Sequence, residues 1–89
     1  MRKAVIWKYA LTPGVQRLRM PEGAQMMDVG ENAFMWAAVD PDAPEEERTV
    51  EVIGTGEEFD ADIRRRYLGT SEIRVGTGKS KIVHVFERT

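Results

Sequence analysis

Turn-forming clusters recur along this chain at short, regular intervals, and this is the strongest constraint on what it can fold into. They fall at Thr12-Pro13-Gly14, Pro21-Glu22-Gly23, Gly30-Glu31-Asn32, Asp40-Pro41-Asp42-Ala43-Pro44, Gly54-Thr55-Gly56 and Gly76-Thr77-Gly78. Proline fixes φ and lacks an N–H, while glycine accepts positive φ, so each cluster interrupts regular structure. The runs between them repeat at about 8 to 12 residues and are rich in β-branched and aromatic side chains, a pattern of short strands. The expected fold is mainly β: a small antiparallel sandwich or barrel of six to seven short strands.

Individual runs refine this expectation. Ala4–Leu11 alternates, with Val5, Trp7, Tyr9 and Leu11 on one parity and Lys8 on the other, as in a half-buried strand. Thr12-Pro13-Gly14 has type II turn chemistry and predicts a hairpin into Val15–Met20, Leu18 and Met20 inward and Arg17 and Arg19 outward. A weaker strand follows over Ala24–Val29. Ala33–Val39 is apolar throughout, which predicts a strand buried on both faces with Phe34 and Trp36 anchoring the core. Thr49–Ile53 places Val50 and Val52 opposite Glu51. Asp60 has the chemistry of a helix cap and predicts one short helical turn over Ala61–Arg66. Tyr67–Thr70 and Glu72–Val75 read as extended, and Lys81–Arg88 as the last strand.

With 89 residues, 42% of them hydrophobic, the chain is expected to form one domain over residues 1–89 around one core, without a metal or disulfide staple. Cysteine is absent, which excludes disulfides, thiolate nucleophiles and iron–sulfur ligation. Lys8 cuts the first apolar run well short of a signal-peptide core, so the segment after Met1-Arg2-Lys3 reads as a strand. No run approaches the roughly 20 apolar residues of a membrane span. The expectation is a soluble, cytoplasmic protein with no cofactor and no membrane association.

Charge is segregated along the chain although the total is only −2. Residues 40–62 carry ten acids against Arg48 alone, a net −9, whereas residues 63–89 carry +5 and residues 1–39 carry +2. Surfaces of opposite sign are therefore expected, the acidic one able to imitate nucleic-acid phosphates. Arg64, Arg65, Arg66 and Tyr67, with Lys79 and Lys81, are the candidate binding residues, since arginine beside an aromatic can hold phosphate and stack on bases; the plainer reading of the triplet is a charged turn neutralised locally by Asp60 and Asp62. A pI near 5.4 argues against a dedicated nucleic-acid binder.

Catalytic constellations fail on spacing. Gly76-Thr77-Gly78-Lys79-Ser80 looks like the end of a phosphate loop, but Ile73 stands where the motif needs its first glycine, and a strand rather than a helix follows. It reads as a hairpin turn. Ser80 and His84 lie about 13 Å apart along a strand, too far for a nucleophile and its base. His84, between Val83 and Val85, reads as a packed or rim side chain. Asp40 with Asp42, and Asp60 with Asp62, lack calcium-loop spacing.

Several strings together resemble a family of small, uncharacterised β-rich domains encoded by bacteriophages and prophages. They are Trp7-Lys8-Tyr9, Leu11 with Pro13-Gly14, Met20-Pro21 with Gly23-Ala24, Trp36-Ala37, Val39-Asp40-Pro41 with Ala43-Pro44, Gly54-Thr55-Gly56, Tyr67-Leu68-Gly69-Thr70 and Val83-His84-Val85-Phe86-Glu87. The resemblance implies a compact accessory domain and supplies no activity. With it, the expected function is a non-enzymatic binding protein that inhibits a host defence protein or sequesters a small ligand. One alternative is a nucleic-acid-associated protein using the Arg64–Arg66 patch. The other is a minor structural or assembly component that self-associates as a homo-oligomer through an exposed sheet edge.

Overall fold

A computed structural model describes residues 3–89; Met1 and Arg2, the basic start weighed against a signal peptide, lie outside them. Seven strands form two antiparallel sheets: β1 (Val5–Ala10), β2 (Gly14–Pro21), β3 (Gln25–Val29), β4 (Phe34–Val39), β5 (Glu45–Gly54), β6 (Arg65–Gly76) and β7 (Lys79–Arg88). The first sheet has the order β1-β4-β3 and the second β2-β5-β7-β6. This is the mainly β, antiparallel architecture that the spacing of turns predicts, and of the sandwich and barrel left open there it is the two-sheet one. The Thr77-Gly78 turn joins β6 to β7, with Gly78 at φ 70°, so the string resembling a phosphate loop is a hairpin turn.

Three local expectations are corrected. β1 and β2 do not form a hairpin: β1 pairs with β4 and β2 with β5, so Thr12-Pro13-Gly14 carries the chain from one sheet to the other. Gly14 does take positive φ, at 92°. The backbone groups of Thr12 that a hairpin partner would have used go to Gln16, whose Oε1 accepts from Thr12 N at 2.9 Å and whose Nε2 donates to Thr12 O at 2.6 Å. The helical turn over Ala61–Arg66 is likewise replaced. Asp60 Oδ1 accepts from the Asp62 amide at 2.9 Å, closing a local turn, and the chain is extended again by Arg65. The helical turn the structure does contain is a 3-10 turn at Glu31–Ala33, in which Asn32 and Ala33 both have positive φ.

The third correction concerns β4. Its buried side chains are Met35, Ala37 and Val39, whereas Phe34 and Trp36 point out of the sandwich. Uniform apolarity removes the parity signal, so the sequence does not distinguish which half of the strand faces inward. Met20, Met35, Val39, Val50, Val83 and Val85 are the largest fully buried side chains, and they come from both sheets. One flank is sewn shut by Ser71 of β6, whose hydroxyl accepts from Ala33 N at 2.8 Å and donates to Gly30 O at 2.6 Å. Gly69 beside it lets β6 approach Val29, where a Cβ would stand 3.0 Å from the valine side chain. β1 and β2 are the free edges opposite.

Candidate interaction surfaces

The basic run at the start of β6 is divided by the pleat of the strand. Consecutive residues face opposite sides, so Arg65 lies on the outer face of the four-stranded sheet and Arg66 on the inner one. Arg65, its side chain only 6% exposed, donates to Glu51 at 2.7 Å and to the carbonyls of Asp60 (2.6 Å) and Ile63 (3.1 Å), with its guanidinium 5.1 Å from the Phe59 ring centre. It ties the 55–64 loop down onto the sheet. Arg66 donates to Glu87 at 3.1 Å, and Lys81 to Glu57 at 2.6 Å. Arg64 and Lys79 are exposed, and among the described residues neither has a carboxylate within 4 Å. Of the six candidate binding residues, three are held in ion pairs, and the Arg64–Arg66 triplet does not form one patch.

The same pairing dissolves the expected acidic face. Across β2 and β5, Arg17 lies 3.8 Å from Glu47 and Arg19 lies 3.8 Å from Glu45, and Glu46 lies 3.7 Å from Arg48. Inside the sandwich, Arg48 is bidentate to Glu87, 3.0 Å from Nη2 to Oε1, and its Nη1 reaches the Ala24 carbonyl at 2.9 Å, joining the two sheets. Glu51 accepts from Arg65 and, at 3.0 Å, from Arg88. Burial pushes the Glu51 carboxyl up, but the hydrogen bonds and charges of Arg65 and Arg88 together hold it below the ordinary carboxylate range. The acids of 40–62 left without a cation partner among the described residues are Asp40 and Asp42 at one end of β5 and Glu58, Asp60 and Asp62 beyond the other. A ten-residue strand of about 30 Å separates these two groups.

With the charges largely paired, what is conspicuous on both outer faces is apolar surface. On the four-stranded sheet, Tyr67 (57% exposed) packs against Phe86 with ring centres 5.5 Å apart, and Val15, Ile82 and Phe59 are exposed around them. His84 stands among these, Nε2 at 2.8 Å from Thr55 Oγ1 and Nδ1 at 3.1 Å from Thr70 Oγ1, and Thr70 is bonded in turn to the Tyr67 hydroxyl. The lone histidine is thus a rim residue in a chain of hydroxyls.

On the three-stranded sheet, the cross-strand registers Ile6↔Ala38, Lys8↔Trp36 and Ala10↔Phe34 bring these residues to one outer face, joined from β3 by Gln25 opposite Ala38 and Asp28 opposite Trp36. Ile6 is 60% exposed and Trp36 36%. Trp36 lies against Gly30, where a Cβ would come within 2.4 Å of the indole, and the Lys8 ammonium sits 4.3 Å from the Phe34 ring centre. The uniform apolarity of Ala33–Val39 is the sequence signal for this face. It reads as double burial because a run without polar residues is the pattern of strands covered on both faces, whereas an antiparallel sheet of a sandwich covers only one.

Concave features are shallow. One open groove runs along the β6–β7 hairpin between Glu72, Arg74, Gly78, Lys79 and Ser80, and a second lies beside it between Glu31, Asn32, Glu72 and Arg74. Among the described residues no three histidine, aspartate or glutamate side chains cluster so as to hold a metal ion, and no helix is long and apolar enough to cross a membrane. A family model described as a domain of unknown function, DUF7352, matches residues 2–89. No curated protein and no solved structure matches the chain.

Proposed function

The chain belongs to the DUF7352 family, and we propose that it is a non-enzymatic binding domain whose working surface is the outer face of the four-stranded sheet, presented to another protein. The observation that carries this reading is the exposed cluster of Tyr67, Ile82, Val15 and Phe59 around His84 and Thr70. Aromatic anchors with hydroxyl and imidazole groups beside them are the composition of a protein-binding centre, where an apolar ring is desolvated and its polar neighbours fix orientation. The partner surface that suits it is apolar with basic residues at its rim, because the exposed Glu58, Asp60 and Asp62 flank Phe59 on the 55–64 loop, which Arg65 ties to this face. The phage or prophage accessory role, acting on a host protein, is supported by the resemblance and by the size of the chain. Cytoplasmic placement belongs to the same proposal. The small-ligand version is weaker, since the grooves are open and polar. A nucleic-acid role would rest on Arg64, Arg74 and Lys79, because Arg65, Arg66 and Lys81 have carboxylate partners.

Affinity capture from a bacterial lysate, run in parallel with the full chain, with Tyr67→Ala/Ile82→Glu and with Arg64→Ala/Lys79→Ala, separates these readings. The expected result is one stoichiometric protein partner retained by the native chain and by the arginine–lysine variant, and lost by the tyrosine–isoleucine variant. Retention by all three chains would overturn the assignment of the surface. A gel shift that weakens steeply with salt and disappears in Arg64→Ala/Lys79→Ala would replace the protein partner with a nucleic acid.

A further inference from the structure

We propose that the outer face of the three-stranded sheet is a self-complementary interface that seats a second copy of this chain, sheet against sheet, about a two-fold axis running along β4. The face has an apolar centre and one row of charge. Lys8, Trp36 and Asp28 lie side by side across β1, β4 and β3 in a single register line, with Phe34 and Ala38 above and below Trp36 on the middle strand. A closed dimer requires that one patch complement itself. Turning a copy of this face about the β4 direction exchanges the β1 and β3 sides and leaves β4 in place. Lys8 of each chain then meets Asp28 of the other, and Trp36 and Phe34 meet their own counterparts.

The charge pattern selects this occupant. Both members of each ion pair are supplied by the chain itself, one on either side of the same tryptophan, and among the described residues neither Lys8 nor Asp28 has an opposite charge within 4 Å in the single chain. Lys8 is held over the Phe34 ring instead, and Asp28 Oδ1 accepts only its neighbouring amide, from Val29 at 2.8 Å. Size sets the strength. At about 4.8 Å between strands and 3.3 Å per residue, the face measures roughly 14 by 20 Å. That is below the ~800 Å² each partner contributes to a standard interface, so the association expected is weak, in the micromolar range or above. Sheets packed face to face sit about 10 Å apart, close enough for the Trp36 rings and the lysine and aspartate side chains to span the gap. The four-stranded sheets then face outward on opposite sides, and each dimer offers two copies of the surface proposed above. The dimer does not rest on that proposal, and either can fail alone.

Sedimentation velocity on the full chain from about 10 µM to 1 mM tests the pairing. The native chain is expected to move from monomer to dimer over this range, and Trp36→Lys, with an unchanged circular dichroism spectrum, to remain monomeric. Lys8→Glu and Asp28→Lys are each expected to weaken dimerisation about tenfold, because each places two like-charged pairs across the axis. An equimolar mixture of those two single variants is expected to recover it. In the mixed dimer the introduced glutamate of one chain faces the introduced lysine of the other, and the remaining native Lys8 still meets the remaining native Asp28. A native chain monomeric at 1 mM, a dimer indifferent to Trp36→Lys, or a mixture no tighter than its components would each overturn the proposal.

Discussion

Glu51 and Glu87 are carboxylates buried on opposite faces of one sheet, and each is held by two arginines. Glu87, with a side chain 9% exposed, lies inside the sandwich against Arg48. Removing its charge takes the bidentate partner from the Arg48 guanidinium and leaves it only the looser contact to Glu46 at 3.7 Å, and Glu87→Gln is expected to destabilise the fold by about 3 kcal/mol, read from the urea midpoint. The exposed pair Arg17–Glu47, broken by Glu47→Gln, is expected to cost less than about 1 kcal/mol in the same assay. Glu51 gives the pH dependence. Its folded carboxyl titrates below the unfolded value of about 4.3, so its contribution is complete above that value and is lost as pH falls through it toward the folded one. The native chain is therefore expected to lose stability on acidification more steeply than Glu51→Gln, the two curves converging at low pH, in urea unfolding followed from about pH 7 down to about pH 2. The partners were not legible from the sequence, where Glu51 read as an outward acid, Glu87 carried no structural reading, and local neutralisation of the arginines pointed to Asp60 and Asp62 rather than to Glu51 and Glu87. The partners lie between 14 and 39 residues away, and their identity is set by which strands become neighbours.

At the scale of elements, turn chemistry carried most of what the sequence disclosed. Alternation puts Val50 and Val52 on one face of their strand against Glu51, and both are buried, together with Val83 and Val85 of the last strand, for which the sequence gives an alternation but not an inward side. On β5 the single charge of Glu51 marks the outward parity, whereas on β7 Ile82 and Phe86 share that parity with His84 and leave it unmarked. β4 goes further: without a polar residue, neither face is marked, and Trp36 attracts the core assignment by size alone. The structure reverses that weighting, with a measurable consequence. Met35→Ala empties a fully buried site and is expected to cost about 2–5 kcal/mol, while Trp36→Ala at dilute concentration is expected to cost clearly less, both by urea unfolding. Equal costs would restore Trp36 to the core. The hairpin expected between β1 and β2 failed for a related reason. Pro13-Gly14 specifies a bend of the backbone but not the strand that receives it, and Gln16, by bonding Thr12, lets the bend stand without a paired neighbour.

For the whole molecule, the topology that hid the partners from the sequence also governs how fast the chain can fold. β1 pairs with β4 in the register Val5↔Val39 to Ala10↔Phe34, and β2 with β5 from Gly14↔Val52 to Pro21↔Glu45, so both pairings close long loops. β5 and β6 follow one another in the chain but are separated in the sheet by β7, which inserts between them after its hairpin with β6. The local pairings are the hairpins β3–β4 and β6–β7. Each alone is at most marginally stable in water, so neither can hold a sheet until the distant strands arrive. Loop-closure entropy is thus opposed before most of the core is buried, the condition that slows all-β sandwiches relative to helical proteins of the same length. Stopped-flow refolding of the full chain at low micromolar concentration, followed by tryptophan fluorescence, is expected to relax in milliseconds to seconds rather than microseconds. Gly78→Val, which strains the positive φ of the β6–β7 turn, is expected to slow refolding if that hairpin is the first scaffold onto which β5 docks. An unchanged folding rate with a faster unfolding rate would place the hairpin after the barrier, and the early pairing would then be β3 with β4.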